Sequence, residues 1–393
     1  MSSRLKQEVW ALDRCSGCGA CVATCAKSVL YWANEQHPLL EERQKALGLS
    51  RLKLRTCEVC DKFCELSCPR LAEPGPLAPL RTLSVRSAGV ACSGSPDDVV
   101  QAILVAARAA DLIDGAIVLD VDPWTLAPRA RVVGTVEEIG GLVAVPHLWA
   151  PVLSALNEAI FGRQLRRLAI VGMPCAAEGA RRLRETDHPR LSPYRNAIRL
   201  TIAQFCAGTY MPSLVEALVE RRLGIERRSI RRLAAAADGG LAVTLWDGSE
   251  YSVARADLEP FTRRGCGTCT DYLGESADLA IGDIGAPAGR TTLIVRSPAG
   301  EAFLQNTLAF GLLESDELVN VQALADAKAE KDRRARGRAL VQSRILLLDA
   351  LREPRKRAEA RKRFVELFGT PQTEAGKREV CDGGCSACEG SGC

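Results

Sequence analysis

Short, mostly apolar runs alternate with amphipathic stretches along most of this chain. Gly115–Val121 (GAIVLDV), Leu168–Gly172 (LAIVG) and Ile198–Gln204 (IRLTIAQ) are mostly apolar, and each predicts a strand. Leu279–Ile281 and Thr292–Arg296 predict two shorter strands. Val99–Leu112, Pro151–Ile160 and Ala176–Arg184 place apolar residues at helical spacing. Strands alternating with helices predict an α/β domain with a mostly parallel or mixed sheet. Residues 320–365 predict charged helix, whose arginines read as a solvated face. Leu142–Phe161 is apolar overall but contains His147, Asn157, Glu158 and two prolines, which predicts a loop and a buried helix instead of a membrane span. Leu71–Leu80 (LAEPGPLAPL) reads as a linker.

Composition adds little beyond this pattern. A chain of 393 residues predicts two or three domains, and 47% hydrophobic content suffices for a sizeable core. A net charge of +4 argues against nucleic acid or an anionic membrane as partner. No charged-then-apolar leader is read at the start. The expectation is a cytoplasmic protein in a reducing compartment, reaching a membrane only through a partner.

Cysteine changes the picture, with 17 in the chain and most of them clustered. Cys15-x2-Cys18-x2-Cys21-x3-Cys25 has the spacing of a bacterial ferredoxin loop around a [4Fe–4S] cluster. Cys57-x2-Cys60-x3-Cys64-x3-Cys68, followed by Pro69, is a second such run with one extra residue. The last cysteine of each run is expected to cross to the other cluster. That assigns Cys15, Cys18, Cys21 and Cys68 to one, and Cys57, Cys60, Cys64 and Cys25 to the other. Zinc is the weaker reading, since each run holds four consecutive cysteines and the chain has only three histidines. A disulfide framework belongs to short secreted domains.

Cys175 and Cys206 each fall just past a predicted strand, at the edge where open α/β sheets bind ligands. Cys266-x2-Cys269 is a chelating pair on a glycine-bearing loop. Together they supply four thiolates for a third [4Fe–4S] cluster; the competing reading makes Cys175 and Cys206 plain buried residues. The tail, Cys381-x3-Cys385-x2-Cys388-x4-Cys393 (CDGGCSACEGSGC), reads as a fourth cluster or metal site, or as a tail ordered against a partner. The organisation expected is a ferredoxin-like module with two [4Fe–4S] clusters over 1–75, an α/β domain over 85–320, a helical region over 321–370 and a cysteine- and glycine-rich tail over 371–393.

Several motifs occur in a specific order: CPR at Cys68–Arg70, LIDGAIV at Leu112–Val118, GMPC at Gly172–Cys175, FCAG at Phe205–Gly208, CGTCTD at Cys266–Asp271 and GDIG at Gly282–Gly285. With the two cysteine runs, this order resembles the β subunits of the coenzyme F420 hydrogenase/dehydrogenase family over nearly the whole chain. The resemblance implies an oxidoreductase subunit that binds FAD and passes electrons between deazaflavin coenzyme F420, or a similar soluble carrier, and a chain of [4Fe–4S] clusters. Partner subunits of hydrogenase, dehydrogenase or reductase type are implied too. It makes Cys175, Cys206, Cys266 and Cys269 ligands of the cluster beside the flavin. Gly282, Asp283 and Gly285 become part of the flavin pocket, with Thr291, Thr292 and Arg296 as further candidates, and no acid or base catalyst is implied. This chain departs from the family at Ser93–Asp98, where a Gly-Gly turn is usual, and at Gly140–Val145. The alternative is therefore a non-catalytic iron–sulfur subunit without flavin.

Overall fold

The computed structural model describes residues 4–33, 36–40, 61–88, 94–122, 124–142, 148–235 and 240–352, with backbone alone at 40, 235 and 341–352. Two short strands, β1 (Leu30–Tyr31) and β2 (Leu39–Leu40), pair near the N-terminus. The strands of the central sheet are β3 (Arg81–Ser87), β4 (Gly115–Val121), β5 (Pro128–Val133), β6 (Leu168–Gly172), β7 (Ile198–Gln204), β11 (Leu279–Gly282), β12 (Thr291–Val295) and β13 (Leu313–Asp316). β8 (Ile230–Ala235), β9 (Leu241–Leu245) and β10 (Glu250–Val253) make a separate three-stranded sheet. The central sheet is mixed, in the order β13-β3-β12-β11-β7-β6-β4-β5. β4, β6, β7 and β11 run parallel. These are the mostly apolar runs, and β6 and β11 are buried at every position. β12 joins antiparallel beside β11, and β5 closes the other edge antiparallel to β4.

Alternate residues of each strand serve different cores. Ala116, Val118, Ala169 and Val171 face the helices Pro96–Ala109 and Pro298–Ala309. Ile117, Leu168 and Ile170 face the helix Pro174–Arg184 and the helical turns at Val152–Ala155 and Glu158–Gly162. Helix Pro96–Ala109 starts where its sequence dictates. Ser95 accepts a hydrogen bond from the Asp98 amide, proline holds the first turn, and Asp97 and Asp98 sit at the positive end of the helix dipole. The carboxylates of the Ser93–Asp98 segment thus lie at a helix start, where Asp97 also accepts a hydrogen bond from the Gln204 side chain at 2.6 Å.

The cysteine-rich N-terminus packs onto the second face of this sheet. Cys18, Ala20, Ala23 and Phe63 belong to the same core as Ile170 and Leu183. Leu71–Leu80 is not a free tether. The Leu77 amide donates to the Glu275 carbonyl, the Leu80 amide donates to the Val295 carbonyl, and Arg296 donates to the Leu77 carbonyl. Residues 1–338 accordingly form one compact unit. Within it, β8, β9 and β10 pack with the helical segment Val215–Arg222 in a core of their own. The final helix runs Val321–Arg352. Among the described residues no helix is long and apolar enough to cross a membrane.

Candidate functional site

Two sets of thiols converge at the carboxyl ends of β6 and β7. Cys175 lies in the first turn of the helix that follows β6, and Cys206 lies two residues past β7. Cys266 and Cys269 arrive on the turn Arg264–Thr268. Burial raises the Cys175 thiol well above its ordinary pKa, and Cys18, Cys206, Cys266 and Cys269 add to the rise. Burial first, then Cys266 and Cys269, push Cys206 up to about 12 against the pull of Lys331. The second set is N-terminal. Burial pushes Cys18 up to about 11 and Cys68 up to about 12, and raises Cys15 and Cys21. After burial, Cys18, Cys15, Cys68 and Cys64 all contribute to the rise at Cys21. Cys15, Cys21, Cys25, Cys64 and Cys68 share one apolar cluster with Leu5, Val9 and Leu30.

The α/β domain grips the N-terminal loop by its carbonyls. The Leu153 amide donates to the Cys18 carbonyl, and the Trp149 indole to the Gly17 carbonyl at 3.0 Å. Arg263, fully buried, donates to the carbonyls of Ser16 at 2.6 Å and Gln36 at 2.5 Å while stacking 4.4 Å from the Trp149 ring centre. The two thiol sets are close neighbours. A Cβ on Gly265 would stand 2.0 Å from the Cys15 carbonyl oxygen, and one on Gly179 would stand 3.1 Å from the Cys18 sulfur and 2.8 Å from Leu153. Only glycine allows these approaches.

Buried cations surround the set at the sheet edge. Arg70, from the CPR motif, pairs with Glu178 at 3.2 Å and donates to the Cys269 sulfur at 3.7 Å. The Thr209 amide donates to the Cys266 sulfur at 3.4 Å. Lys331 reaches in from the last helix, 4% exposed, and donates to the carbonyls of Cys206 at 2.7 Å and Asp271 at 2.6 Å. Burial opposes its charge, yet Cys206, Cys269, Cys266 and Asp271 outweigh burial and hold its pKa above the ordinary lysine value. Such a set suits an iron–sulfur cluster, because coordinated thiols give up their protons and buried cations offset the resulting negative charge. None of the described cysteines forms a disulfide. Among the described residues no three His, Cys, Asp or Glu side chains close around a point in the manner of a single-ion site. A four-iron cubane holds its thiolates further apart than a single ion does.

Gly282 ends β11 against the Phe205 ring, next to Cys206, and Asp283 is exposed beyond it. Gly285 adopts φ +92° beside Leu324. Thr291 and Thr292 are buried and donate to the carbonyls of Gly94 and Ile284. Arg296 is buried and donates to the carbonyls of Leu77 and Leu273. These last three side chains are engaged in holding strands and the 71–80 segment together. Cys57, Cys60, Cys381, Cys385, Cys388 and Cys393 lie outside the described residues. The sequence reading did not single out Arg263, Trp149, Glu178, Gly179 or Lys331. A single charged residue in an arginine-rich chain gives no signal until folding buries it.

Residues 165–321 match the family model for the C terminus of the coenzyme F420 hydrogenase/dehydrogenase beta subunit, and this stretch carries Cys175, Cys206, Cys266, Cys269 and GDIG. An uncharacterised protein of Methanocaldococcus jannaschii is 31% identical over 84% of this chain and 97% of its own length. The chain belongs to the coenzyme F420 hydrogenase/dehydrogenase β-subunit family. One of the subunits of the F420H2 dehydrogenase of Methanosarcina mazei is 26% identical over 75% of this chain and 83% of its own length. A chain from the solved F420-reducing [NiFe] hydrogenase complex of Methanosarcina barkeri superposes with a TM-score of 0.60. That match covers 67% of this chain and 91% of the other at 22% identity, so the likeness is one of fold.

Proposed function

We propose that this chain is an iron–sulfur flavoprotein subunit that carries electrons between an F420-type carrier and partner redox subunits. The observation that carries the reading is the adjacency of the two thiol sets at the sheet edge. Gly179, one helical turn beyond Cys175, abuts the Cys18 sulfur, and Gly265, next to Cys266, abuts the Cys15 carbonyl, so both remove side chains that would hold the two loops apart. The relatives support it by name, being subunits of F420 hydrogenases and an F420H2 dehydrogenase.

In this reading Cys175, Cys206, Cys266 and Cys269 hold one [4Fe–4S] cluster. Cys15, Cys18, Cys21 and Cys68 hold a second, Cys57, Cys60, Cys64 and Cys25 a third, and the four tail cysteines a further metal site. Arg70 and Lys331 offset the charge of the first, and Arg263 fixes the loop of the second. FAD, when bound, would exchange an electron pair on one side and single electrons on the other. The Gly282–Gly285 strand end would take it, because Gly282 adjoins Phe205 and so lies one residue from Cys206. Thr291, Thr292 and Arg296 support that strand end from behind.

Anaerobic purification with assay of iron, acid-labile sulfide and flavin tests this reading. Flavin released on denaturation, with bleaching of the visible spectrum by reduced F420, is the expected result. Colourless protein with free thiols sinks the reading. Full iron without flavin replaces it with the non-catalytic electron-transfer subunit, which the engagement of Thr291, Thr292 and Arg296 favours.

A further inference from the structure

The outer face of the three-stranded sheet carries a pattern that its own core does not need. Residues paired directly across an antiparallel sheet share a face. Ile230 pairs with Leu245 and Leu233 with Val243, and all four belong to the core beneath the sheet. The opposite face holds two rows. One is Arg232 on β8, Thr244 on β9 and Glu250 on β10; the other is Ala234, Ala242 and Ser252. All six are exposed or half-buried. A solvated sheet face ordinarily shows polar side chains throughout. This one is small in the middle and charged only at its two edges. Arg232 and Glu250 stand two strands apart, about 10 Å, and neither forms an ion pair among the described residues. Just past the end of β9, Trp246 is 71% exposed. Its turn is nonetheless fixed: the Trp246 amide donates to the Ser229 carbonyl at 3.0 Å, and the Ser249 amide donates to the Asp247 carboxylate at 2.8 Å. A tryptophan held out on an ordered turn suits a protein contact, where tryptophan and arginine dominate binding.

The charge layout is complementary to itself. Two sheets stacked face to face keep their strands roughly aligned, about 10 Å apart. A two-fold axis running along β9, midway between two such sheets, lays β8 of one copy over β10 of the other and keeps each row at its own height. Arg232 of each copy then faces Glu250 of the other. The contact is reciprocal, as an isologous interface requires. The small residues of β9 meet at the centre, where longer side chains would hold the sheets apart, and the two Trp246 turns arrive at the same end. We propose that this face joins two copies of the chain through reciprocal Arg232–Glu250 pairs. Three strands of four to six residues make a small contact, so a dissociation constant in the micromolar range is expected. Loss of this dimer would leave the redox reading untouched.

Sedimentation velocity of the anaerobic, iron-loaded full chain, at about 1 to 100 μM, tests it. Wild type should pass from monomer to dimer across that range and grow no further. Arg232→Glu and Glu250→Arg each set like charges against one another across the axis, so each should weaken association about tenfold or more. The combined variant R232E/E250R exchanges the signs and should restore the dimer, which a misfolded sheet could not do. Arg228→Gln, an exposed residue already paired with Glu226, should leave association unchanged. A dimer indifferent to both single substitutions places the contact elsewhere and overturns the proposal. So does a double variant that stays dissociated, or growth beyond the dimer, which marks a head-to-tail contact. A monomer at every concentration also overturns it and leaves the face to a different protein.

Discussion

At the scale of single residues, two buried charges do different work. Asp278 is 2% exposed and accepts hydrogen bonds from the Thr201 amide and hydroxyl, from Ser297 and from Arg184 at 2.9 Å. It ties the sheet to two helices and touches no cysteine in these contacts. Asp278→Ala leaves Arg184 and Thr201 without their acceptor, so it should destabilise the protein by about 3 kcal/mol. Urea unfolding measures the loss, and a change below the error of the fit would refute the role. Lys331 braces the Cys206 and Asp271 carbonyls and puts a positive charge among three thiols. A fixed cation beside a cluster favours the reduced, more negative state. Lys331→Met should shift the midpoint of one cluster to a more negative potential in a redox titration followed by electron paramagnetic resonance. Unmoved midpoints for every cluster would show that the lysine is only a brace. Tyr194 gives a pH test. Burial raises its phenol to about 12, and its one hydroxyl proton is shared between the Ala23 carbonyl and the Asn157 side-chain oxygen. A phenol near 10 in the unfolded chain binds its proton less tightly than the folded one. Its stability contribution is therefore complete below about pH 10 and lost as pH climbs towards 12, by up to about 2 to 3 kcal/mol. Comparison of wild type with Tyr194→Phe from about pH 9 to 11.5 should show the steeper decline in the wild type.

Elements were legible where burial was uniform. β4, β6 and β7 begin and end where the sequence places them, because helices cover both sides of the sheet there and most of their positions are apolar and buried. β3 and β5 were not legible. RTLSVRS buries Leu83, Val85 and Ser87 but carries two arginines, and PRARVV is an edge strand whose arginines pair with Asp120 and Asp122. The three short strands β8–β10 hid for a related reason: β9 gives only Leu241, Val243 and Leu245 to its core, β8 only Ile230 and Leu233, and β10 only Val253. The thiols at the sheet edge could be read from strand ends and spacing, whereas the joining of the N-terminal loop to that edge could not. That joint depends on Gly179 inside a helix, where glycine carries a propensity cost of about 1 kcal/mol against alanine. The helix tolerates it because the Cys18 sulfur and Leu153 occupy the space. Gly179→Val should displace Cys18 and lower the iron content of anaerobic protein by about a third to a quarter, one cubane among three or four. Iron content equal to wild type would separate the two loops and weaken the idea that they conduct together.

At the scale of the whole molecule, the N-terminal segment is joined to the sheet's own core through Cys18, while Cys21 and Cys68 sit in a separate cluster with Leu5 and Val9. Cys18, Ala20 and Phe63 help to bury Ile170 and Leu183, and the 71–80 segment is hydrogen-bonded along its course. Cluster loss should therefore be felt by the fold. Metal that binds only the native state stabilises it by mass action, and its removal takes that stabilisation away. Chelation or oxidation of the iron-loaded protein should lower its melting temperature for residues 1–338 as one transition, since these residues form a single compact unit. The tail offers a contrast, because residues 339–393 cluster as a separate unit. A chain ending at residue 370 should keep that main transition and, if Cys381, Cys385, Cys388 and Cys393 hold one cubane as proposed, lose about four iron atoms and no more. Differential scanning calorimetry with iron assay on both chains distinguishes the cases. A main transition that falls with the tail would mean that the terminal cysteines help to stabilise the body of the protein. Two resolved transitions within 1–338 after chelation would mean that the N-terminal cysteines fold apart from the sheet after all.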